Sequence, residues 1–349
     1  MGYGVAIDGS RHSGHRRRPP ENDGDRDRAI TGWRARRGFR AADFPLDRLM
    51  AAKAETVSVI LPAREVAATV APIVAVLTGL REAGLIDELV VIDAASTDAT
   101  AALAEAGGAR VVQENAIRAD LGPARGKGDA MWRGLGVTTG EVVVYLDADT
   151  EDFDAGFLLG LLGPILCDPE IDFVKGAFAR PLRSGDQILP GEGGRVTELV
   201  ARPLLNLHAP ELCVFDQPLA GEIAGRRRLL ERLPFSAGYG VEIAMLIDAW
   251  REVGLERLAQ VDLGTRQNRH QSLRALSAMA YAVVVAATAR FPVDPPEGAG
   301  EEDGNGRRGG PLPAGALALP PLEFGGPMEL RRVTTDERPP LRAGDGARR

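Results

Sequence analysis

The chain has 349 residues, 44% of them hydrophobic, and a formal net charge of −7 at pH 7, as expected for a globular protein with a substantial core. There is neither a signal-peptide-like apolar region nor an apolar run long enough to cross a bilayer, so we expect a cytoplasmic protein that binds no membrane. Cys167 and Cys213 form no disulfide framework or zinc motif, which fits a reducing compartment.

The first 43 residues are rich in Arg, Gly, Asp and Pro and show no hydrophobic periodicity. This composition predicts a disordered, Arg-rich extension over residues 1–43. A basic arm can bind nucleic acid, but this one matches no nucleic-acid motif and lacks regularly interleaved aromatic residues. We therefore expect no nucleic-acid partner.

Apolar segments without polar alternation follow, separated by segments with helical spacing. The predicted strands are TVSVILP (56–62), ELVVIDAAS (88–96), ARVVQE (109–114) and EVVVYLDAD (141–149), and the predicted helices are 67–83, 97–108 and 127–137. This pattern indicates βαβ units and an α/β fold with a mainly parallel sheet covered by helices on both faces. In such sheets ligands bind at the carboxyl ends of the strands.

Two carboxylates, Asp147 and Asp149, stand at the end of the fourth strand. At positions i and i+2 of an extended chain, their side chains leave on the same side and can approach one cation. Hard oxygen ligands suit Mg²⁺ or Mn²⁺, which can hold a nucleotide diphosphate and neutralise it as a leaving group. A single acid here would be explained as a turn residue or helix cap.

The segment GKGDAMW (126–132) places Lys127 between two glycines at a helix start. Backbone amides and one ammonium can bind an anion there, although a plain glycine-rich helix start gives the same pattern. The spacing is not that of a P-loop.

Two later segments add polar groups near helix starts. GEGGRVTELVARPLL (191–205) offers glycine amides, Arg195 and Thr197, a suitable cradle for a small phosphorylated or carboxylated acceptor. PFSAGYGVEIAMLIDAW (234–250) places Glu242 in the first turn of a helix, where it either favours the helix dipole or contacts a sugar.

The tail over 291–349 is rich in Pro and Gly and is predicted to be mostly disordered, with VTTDERPPL (333–341) docking locally at most. The folded part is then divided into a nucleotide-sugar-binding α/β half over 44–150 and an acceptor-binding and dimerisation half over 151–290.

Seven segments together resemble the glucosyl-3-phosphoglycerate synthases, which are retaining glycosyltransferases of the GT-A fold related to actinobacterial mannosyl-3-phosphoglycerate synthases. The resemblance covers about 45–285 and is carried by VSVILPA, VVIDAASTDAT, GKGDAMWR, YLDADT, GGRVTELVARPLL, QPLAGE and LPFSAGYGVEIAMLID. It implies a homodimer that transfers a hexose, with glucose expected, from a nucleotide diphosphate sugar to the 2-hydroxyl of D-3-phosphoglycerate, using Mg²⁺ or Mn²⁺.

The resemblance also implies a role for each matching residue. Metal binding falls to Asp149 and Asn268, and the catalytic centre to Asp147, Leu219 and Glu242, with Gly221 beside Leu219 near the anomeric carbon. The implied donor-binding residues are Pro62, Ala63, Arg64, Asp93, Ala94, Lys127, Asp147, Ala148, Tyr239 and Glu242. The implied acceptor-binding residues are Gly194, Arg195, Thr197, Arg266 and His270.

Three positions depart from the family pattern. Val66 stands where a Glu that holds the ribose is usual, Ala94 where a Ser contacts the base, and Asn268 where a His binds the metal. Either the donor differs, for example GDP-mannose as in the mannosyl enzymes, or the chain is a non-catalytic homologue that keeps the acceptor cradle. A sugar nucleotidyltransferase is disfavoured because no glycine-rich loop follows the first strand.

Overall fold

A computed structural model gives the fold and describes residues 23–179, 182–184, 187–189, 194–266, 272–291, 315–319 and 329–342. The strands are β1 (Gly38–Arg40), β2 (Val57–Ala63), β3 (Glu88–Asp93), β4 (Arg110–Gln113), β5 (Val142–Tyr145), β6 (Phe173–Ala179), β7 (Leu182–Ser184), β8 (Gln187–Leu189), β9 (Ile223–Arg226), β10 (Phe235–Ser236), β11 (Leu258–Thr265), β12 (Ala316–Leu319), β13 (Glu329–Arg332) and β14 (Glu337–Arg338).

The helices are α1 (Asp23–Arg37), α2 (Leu46–Ala52), α3 (Val70–Glu82), α4 (Thr100–Ala106), α5 (Lys127–Gly136), α6 (Ala155–Cys167), α7 (Arg202–His208), α8 (Arg227–Leu230), α9 (Val241–Val253) and α10 (Leu273–Thr288). A π-helical turn, Thr197–Ala201, leads into α7. Within the described ranges, no helix is both long and apolar enough to cross a membrane.

In the described part of the chain, eight strands form one sheet in the order β1-β11-β6-β9-β5-β2-β3-β4. Neighbouring strands are parallel, except that β9 is antiparallel to both β5 and β6. The predicted mainly parallel α/β fold is confirmed, as are the four predicted strands, which form β2 to β5. Strands from both predicted halves of the chain lie in this one sheet.

The central strands are buried on both faces because successive residues enter two different apolar layers. In β2, Ile60 packs with Met131 of α5 and Ile247 of α9, whereas Val59 and Leu61 pack in the layer that contains α3 and α6. Burial on both faces accounts for the apolar runs without polar alternation. The result is a three-layer arrangement of helices, sheet and helices.

The expectation of a disordered extension over 1–43 is wrong for residues 23–43, which form α1, β1 and a short 3₁₀ turn. Trp33 is fully buried, its Nε1 donates to the Leu255 carbonyl oxygen at 3.1 Å, and its ring lies 5.0 Å from that of Phe215. Arg37 pairs with Asp168 at 2.7 Å. These long-range contacts fix α1 despite its polar composition.

Part of the C-terminal tail is also ordered. Residues 315–319 and 329–332 include the antiparallel pair β12–β13, and β14 pairs with β10 of the main body. The segment VTTDERPPL, which we expected to dock locally at most, pairs with β10 and contacts Trp132 of α5.

Candidate active site

The two carboxylates that follow β5 converge on one arginine. Nη2 of Arg266, which follows β11, lies 3.1 Å from both Asp147 Oδ2 and Asp149 Oδ1. Nη1 donates to Glu222, and the buried guanidinium lies 5.3 Å from the Phe178 ring. Because one nitrogen bonds both carboxylates, Asp147 and Asp149 are within reach of a single cation, as their spacing predicts.

Two helix starts meet at Asp147. Lys127, the first residue of α5, places Nζ 2.5 Å from Asp147 Oδ1 and 2.7 Å from Oε1 of Glu242, which lies in the first turn of α9. The helices come this close because Gly128 has no side chain: a Cβ there would lie 2.9 Å from Val241 Cβ in α9 and would overlap the Ser236 carbonyl oxygen in β10. The structure thus brings together Lys127, Asp147 and Glu242, three residues that the sequence singles out separately.

The charges in this cluster hold one another in their ionised forms. Burial raises the pKa of Asp147, but Lys127 and Arg266 outweigh burial and keep this pKa well below its usual range. Burial lowers the pKa of Lys127, but Asp147 and Glu242 raise it well above its ordinary value. The pKa of Arg266 is raised in the same way, against burial, chiefly by Glu222 and Asp147.

Sequence reasoning missed two buried charged residues beneath the cluster. Lys175 in β6 donates from Nζ to the Ala220 carbonyl oxygen at 2.7 Å, and burial lowers its pKa to about 7. Glu222 binds Arg266, and both Lys175 and Glu222 are fully buried. The available signal was a charged residue inside an apolar strand, as in FVKGAF (173–178), because such burial is costly without a partner.

The segment QPLAGE (217–222) lies directly against this cluster. A Cβ on Gly221 would be 2.5 Å from Lys127 Nζ and 2.6 Å from Asp147 Oδ2, so only glycine lets the main chain approach the ion pair. Leu219 is partly buried against the core. The residue pair that the resemblance places near the anomeric carbon therefore lies in the segment beside Asp147.

Half of the predicted donor-binding residues lie together at the carboxyl ends of β2 and β3. Pro62 and Ala63 stand opposite Ile92 and Asp93, and the Ala94 amide donates to the Ala63 carbonyl oxygen at 2.9 Å. Asp93 is buried. The two strand ends thus form one continuous edge next to β5, as their order in the sheet requires.

The loops after these strand ends have unusual backbone conformations. Glu65 and Ala95 have φ values of 53° and 54°, in the left-handed region that non-glycine residues rarely adopt. The Glu65 carboxylate accepts a hydrogen bond from the Thr97 amide at 2.7 Å, which joins the two loops. The adjacent Arg64 is exposed. Such strain is frequently found at binding sites.

Two further predicted donor-binding residues differ in exposure. Ala148 is buried, and its carbonyl oxygen accepts from Thr69 Oγ1 at 2.6 Å, which fixes the chain between the two acids. Tyr239 is 52% exposed and stands between Gly238 and Gly240. An aromatic side chain on this loop is available to a ligand.

Three of the predicted acceptor residues lie ahead of α7, whereas Arg266 follows β11 and bonds the two acids. Gly194 has a φ of 71°, and its carbonyl oxygen accepts from the Glu198 amide at 3.0 Å. Thr197 is buried and begins the π-helical turn, whereas Arg195 is partly exposed. Their binding role stays a prediction. Asn268 and His270 lie outside the described residues.

The acids at the end of β5 suit a divalent metal that binds together with phosphate. The described residues contain no group of three or more His, Cys, Asp and Glu side chains that could hold a metal. Mg²⁺ is commonly held by one or two carboxylates while phosphate oxygens and waters complete its coordination. Asp147 and Asp149 supply such a pair, and the Asp149 side chain is 61% exposed.

The glycosyl transferase family 2 profile matches residues 58–200. The glucosyl-3-phosphoglycerate synthase of Mycolicibacterium smegmatis is 44% identical over 260 residues, which are 74% of this chain and 85% of that protein. The identity thus extends well beyond the part that matches the profile.

Solved structures of hexosyl-3-phosphoglycerate synthases are also similar to this chain. Mannosyl-3-phosphoglycerate synthase from Rubrobacter xylanophilus has a TM-score of 0.79 at 42% identity, covering 89% of this chain and 98% of that one. Glucosyl-3-phosphoglycerate synthase from Mycobacterium tuberculosis, in complex with Mn²⁺, UDP-glucose and phosphoglyceric acid, has a TM-score of 0.69 at 37% identity, covering 85% and 94%. The same enzyme has also been solved with Mg²⁺ and UDP.

Proposed function

The chain belongs to the glucosyl-3-phosphoglycerate synthase family of glycosyltransferases, and from this premise we propose that it transfers glucose from a nucleotide diphosphate sugar to the 2-hydroxyl of D-3-phosphoglycerate. One structural observation carries the proposal. Asp147 is held between Lys127 and Arg266 at the carboxyl edge of the sheet, with the exposed Asp149 beside it. This is the edge at which an α/β sheet binds its ligand.

The donor is assigned to the half of the chain over 44–150, together with the loop before α9. Pro62, Ala63, Arg64, Asp93 and Ala94 bind the nucleoside, and Lys127 binds the diphosphate. Ala148, Tyr239 and Glu242 line the hexose. This assignment is supported by the adjacent ends of β2 and β3 and by the 2.7 Å contact between Lys127 and Glu242.

Asp147 and Asp149 hold the divalent cation, Mg²⁺ or Mn²⁺, and Asn268 is assigned as a further ligand by the family pattern. When bound, such an ion neutralises charge on the departing nucleoside diphosphate. The protein's own contribution is the fixed position of the two carboxylates. Each accepts a hydrogen bond of 3.1 Å from Nη2 of Arg266.

The acceptor is assigned to the half over 151–290. Gly194, Arg195 and Thr197 bind the phosphate of D-3-phosphoglycerate, because backbone amides, a guanidinium and a hydroxyl are its natural partners. Arg266 and His270 are assigned to the acceptor side by the family pattern. The buried position of Thr197 at the start of the π-helical turn gives this cradle a rigid base.

We further propose that the anomeric configuration is retained without a covalent enzyme intermediate. Asp147 and Glu242 both bond Lys127, and ion pairing makes a carboxylate a poor nucleophile. The acceptor hydroxyl then attacks the anomeric carbon beside Leu219 and Gly221, on the face from which the nucleoside diphosphate departs, and its proton passes to the departing phosphate oxygen. Catalysis rests on positioning and on fixed charges.

Mannosyl transfer is the second candidate function. The mannosyl-3-phosphoglycerate synthase of Rubrobacter xylanophilus has a higher TM-score than the glucosyl enzyme bound to UDP-glucose, 0.79 against 0.69. Val66 and Ala94, where the family pattern has Glu and Ser, lie at the predicted nucleoside edge and are consistent with an altered donor.

A homodimer is proposed because α10 and the helical segment before and within α7 expose large apolar side chains. Leu199, Leu207 and Leu273 are 72%, 76% and 66% exposed. Residues of this size are commonly covered in an interface between subunits.

We also propose a cytoplasmic location. Cys167 and Cys213 are not joined in a disulfide, as expected for thiols in a reducing compartment.

The test is a donor panel with D-3-phosphoglycerate and Mg²⁺ or Mn²⁺. UDP-glucose, GDP-glucose, ADP-glucose and GDP-mannose are supplied in turn, and released nucleoside diphosphate and hexosyl-phosphoglycerate are quantified together. Fastest turnover with a glucose donor supports the proposal, and fastest turnover with GDP-mannose supports the second candidate. Absence of turnover with every donor contradicts both and indicates a non-catalytic homologue.

A further inference from the structure

The last described residues of the chain lie against the loop that carries Tyr239 and leads into α9, which carries Glu242. We call residues 333–342 the C-terminal strap. Its strand β14 pairs with β10, with Arg338 opposite Phe235, and the Ala237 amide donates to the Asp336 carbonyl oxygen at 2.8 Å. The strap thus continues the strand pairing up to the first residue of the loop 237–240.

The strap also enters the start of α5 through a buried ion pair. Arg338 Nε and Nη2 donate to the two carboxylate oxygens of Asp129 at 2.8 and 2.7 Å. Asp129 is fully buried, accepts from the Arg125 amide at 2.9 Å, and donates its own amide to Ala237 at 3.1 Å. It therefore ties the turn before Lys127 to the loop after β10.

Other contacts hold the strap in this position. Trp132 Nε1 donates to the Pro339 carbonyl oxygen at 2.8 Å, and the Arg338 guanidinium lies 5.8 Å from the Trp132 ring. Glu337 pairs with Arg290 at 2.7 Å. The strap is consequently fixed both to α5 and to the turn after α10, which contains Arg290.

We propose that the C-terminal strap positions the two sides of the donor site, with Arg338 as its positioning residue. Arg338 acts through Asp129 on the turn that presents Lys127, and the β10–β14 pairing acts on the loop that presents Tyr239 and Glu242. The 2.7 Å contact between Lys127 Nζ and Glu242 Oε1 requires that both the turn and the loop are correctly placed. This inference rests on the proposed function for what the site binds.

The test compares Arg338→Gln with Arg332→Gln in the full-length protein. Arg332 is an exposed residue of the same C-terminal region, in β13, so it controls for the loss of one arginine. Hydrogen exchange is followed in peptides covering 126–132 and 235–242, and kcat and KM are measured for the donor and for D-3-phosphoglycerate. Arg338→Lys keeps the charge but not the two-pronged contact.

We expect faster exchange in both peptides of Arg338→Gln, an about tenfold rise in donor KM and an about tenfold fall in kcat, of the size of one charged hydrogen-bond pair. The KM for D-3-phosphoglycerate should stay within about twofold of the wild-type value. The donor KM and kcat of Arg338→Lys should lie between those of wild type and Arg338→Gln. Wild-type kinetics in Arg338→Gln, with or without faster exchange, would overturn the positioning role.

Failure of the proposed function gives a different result. The wild-type protein would then turn over none of the donors, whereas the exchange comparison does not depend on turnover. In that case unchanged exchange in Arg338→Gln would show that the strap does not position either side of the site. Faster exchange confined to the two peptides would support its role in positioning the Lys127 turn and the Tyr239 loop.

Discussion

Two ion clusters lie at opposite edges of the sheet and differ in their ratio of acids to bases. At the amino edge, Asp172 before β6 has a buried side chain bonded by Arg228 at 2.9 Å and by Arg257, with Arg226 Nε at 3.5 Å. At the carboxyl edge the acids outnumber the bases, since Lys127, Lys175 and Arg266 are the bases that face Asp147, Asp149, Glu222 and Glu242.

The difference separates a structural cluster from a site. Burial raises the pKa of Asp172, but Arg257 and Arg228 outweigh it and lower this pKa. Asp172 is bonded only by arginines, and the buried Arg226 has a second partner in Glu55, so the charges at this edge are paired and join loops to strands. At the carboxyl edge, the excess of carboxylates and the 61% exposure of Asp149 leave a cluster that gains stability from an added cation.

Asp149→Ala should break the carboxyl-edge cluster with the largest effect. We expect kcat to fall about 10³-fold or more, since a catalytic metal contributes several kcal/mol to the barrier. The melting temperature should hold or rise, because one of the excess acids is removed. Asp152→Ala, an exposed acid three residues later, is the control. Wild-type turnover in Asp149→Ala would refute the metal role.

Asp172→Asn should break the amino-edge cluster and give the opposite result. It removes the charged partner of Arg228 and Arg257, whereas the buried Arg226 keeps its pair with Glu55, so we expect a loss of about 2 kcal/mol in unfolding free energy. Chemical denaturation measures this loss, and kcat of the folded protein should be unchanged. A large fall in kcat at wild-type stability would show that the two edges are not separable.

Gly221→Ala tests how tightly the carboxyl-edge cluster is packed. The added methyl group would displace the Lys127–Asp147 pair, from which it would be separated by only 2.5 and 2.6 Å. We expect kcat to fall about 10²-fold, as for other displacements of about 1 Å. Gly136→Ala, whose Cβ meets nothing within 4 Å, is the matched control. Equal activity of the two variants would contradict the described packing.

Glu114→Gln sharpens the comparison through an effect that depends on pH. Glu114 is buried like Asp172, but its Oε1 has no hydrogen-bond partner among the described residues, and burial followed by the charge of Asp129 raises its pKa from 4.5 to about 7. The folded state therefore holds this proton more tightly than the unfolded state, and wild-type stability falls as pH rises from about 4.5 through 7.

The expected result is a pH-dependent gap between Glu114→Gln and wild type. The difference in unfolding free energy should change by up to about 3 kcal/mol in favour of the variant between pH 4.5 and pH 8. Urea denaturation across this range measures it, with the exposed Glu105→Gln as control. A gap that does not vary with pH would mean that Glu114 titrates normally.

The sequence allows prediction of features that depend on local pattern. Apolar runs predict β2 to β5, and the rule for parallel sheets places Asp93, Asp147 and Asp149 at one edge, where the structure has them. Lys127 follows from its position at a helix start. These predictions need only the period of the strand and the direction of the chain.

Features that depend on distant partners could not be predicted in this way. Lys175 and Glu222 stand in apolar segments, and their partners Ala220 and Arg266 lie 45 and 44 residues away. The helix α1 has a strongly polar composition and is held largely by tertiary contacts such as those of Trp33. No pattern within a short window contains this information.

The most direct test is the identity of the product formed from UDP-glucose labelled with ¹³C at the anomeric carbon, with D-3-phosphoglycerate and Mg²⁺. We expect one NMR-resolved product in which the labelled carbon, in the donor's α configuration, is bonded to the 2-oxygen of phosphoglycerate. Wild type and Asp152→Ala should form it, and Asp149→Ala should not. Release of labelled free glucose without this product would show that the protein does not transfer glucose to phosphoglycerate.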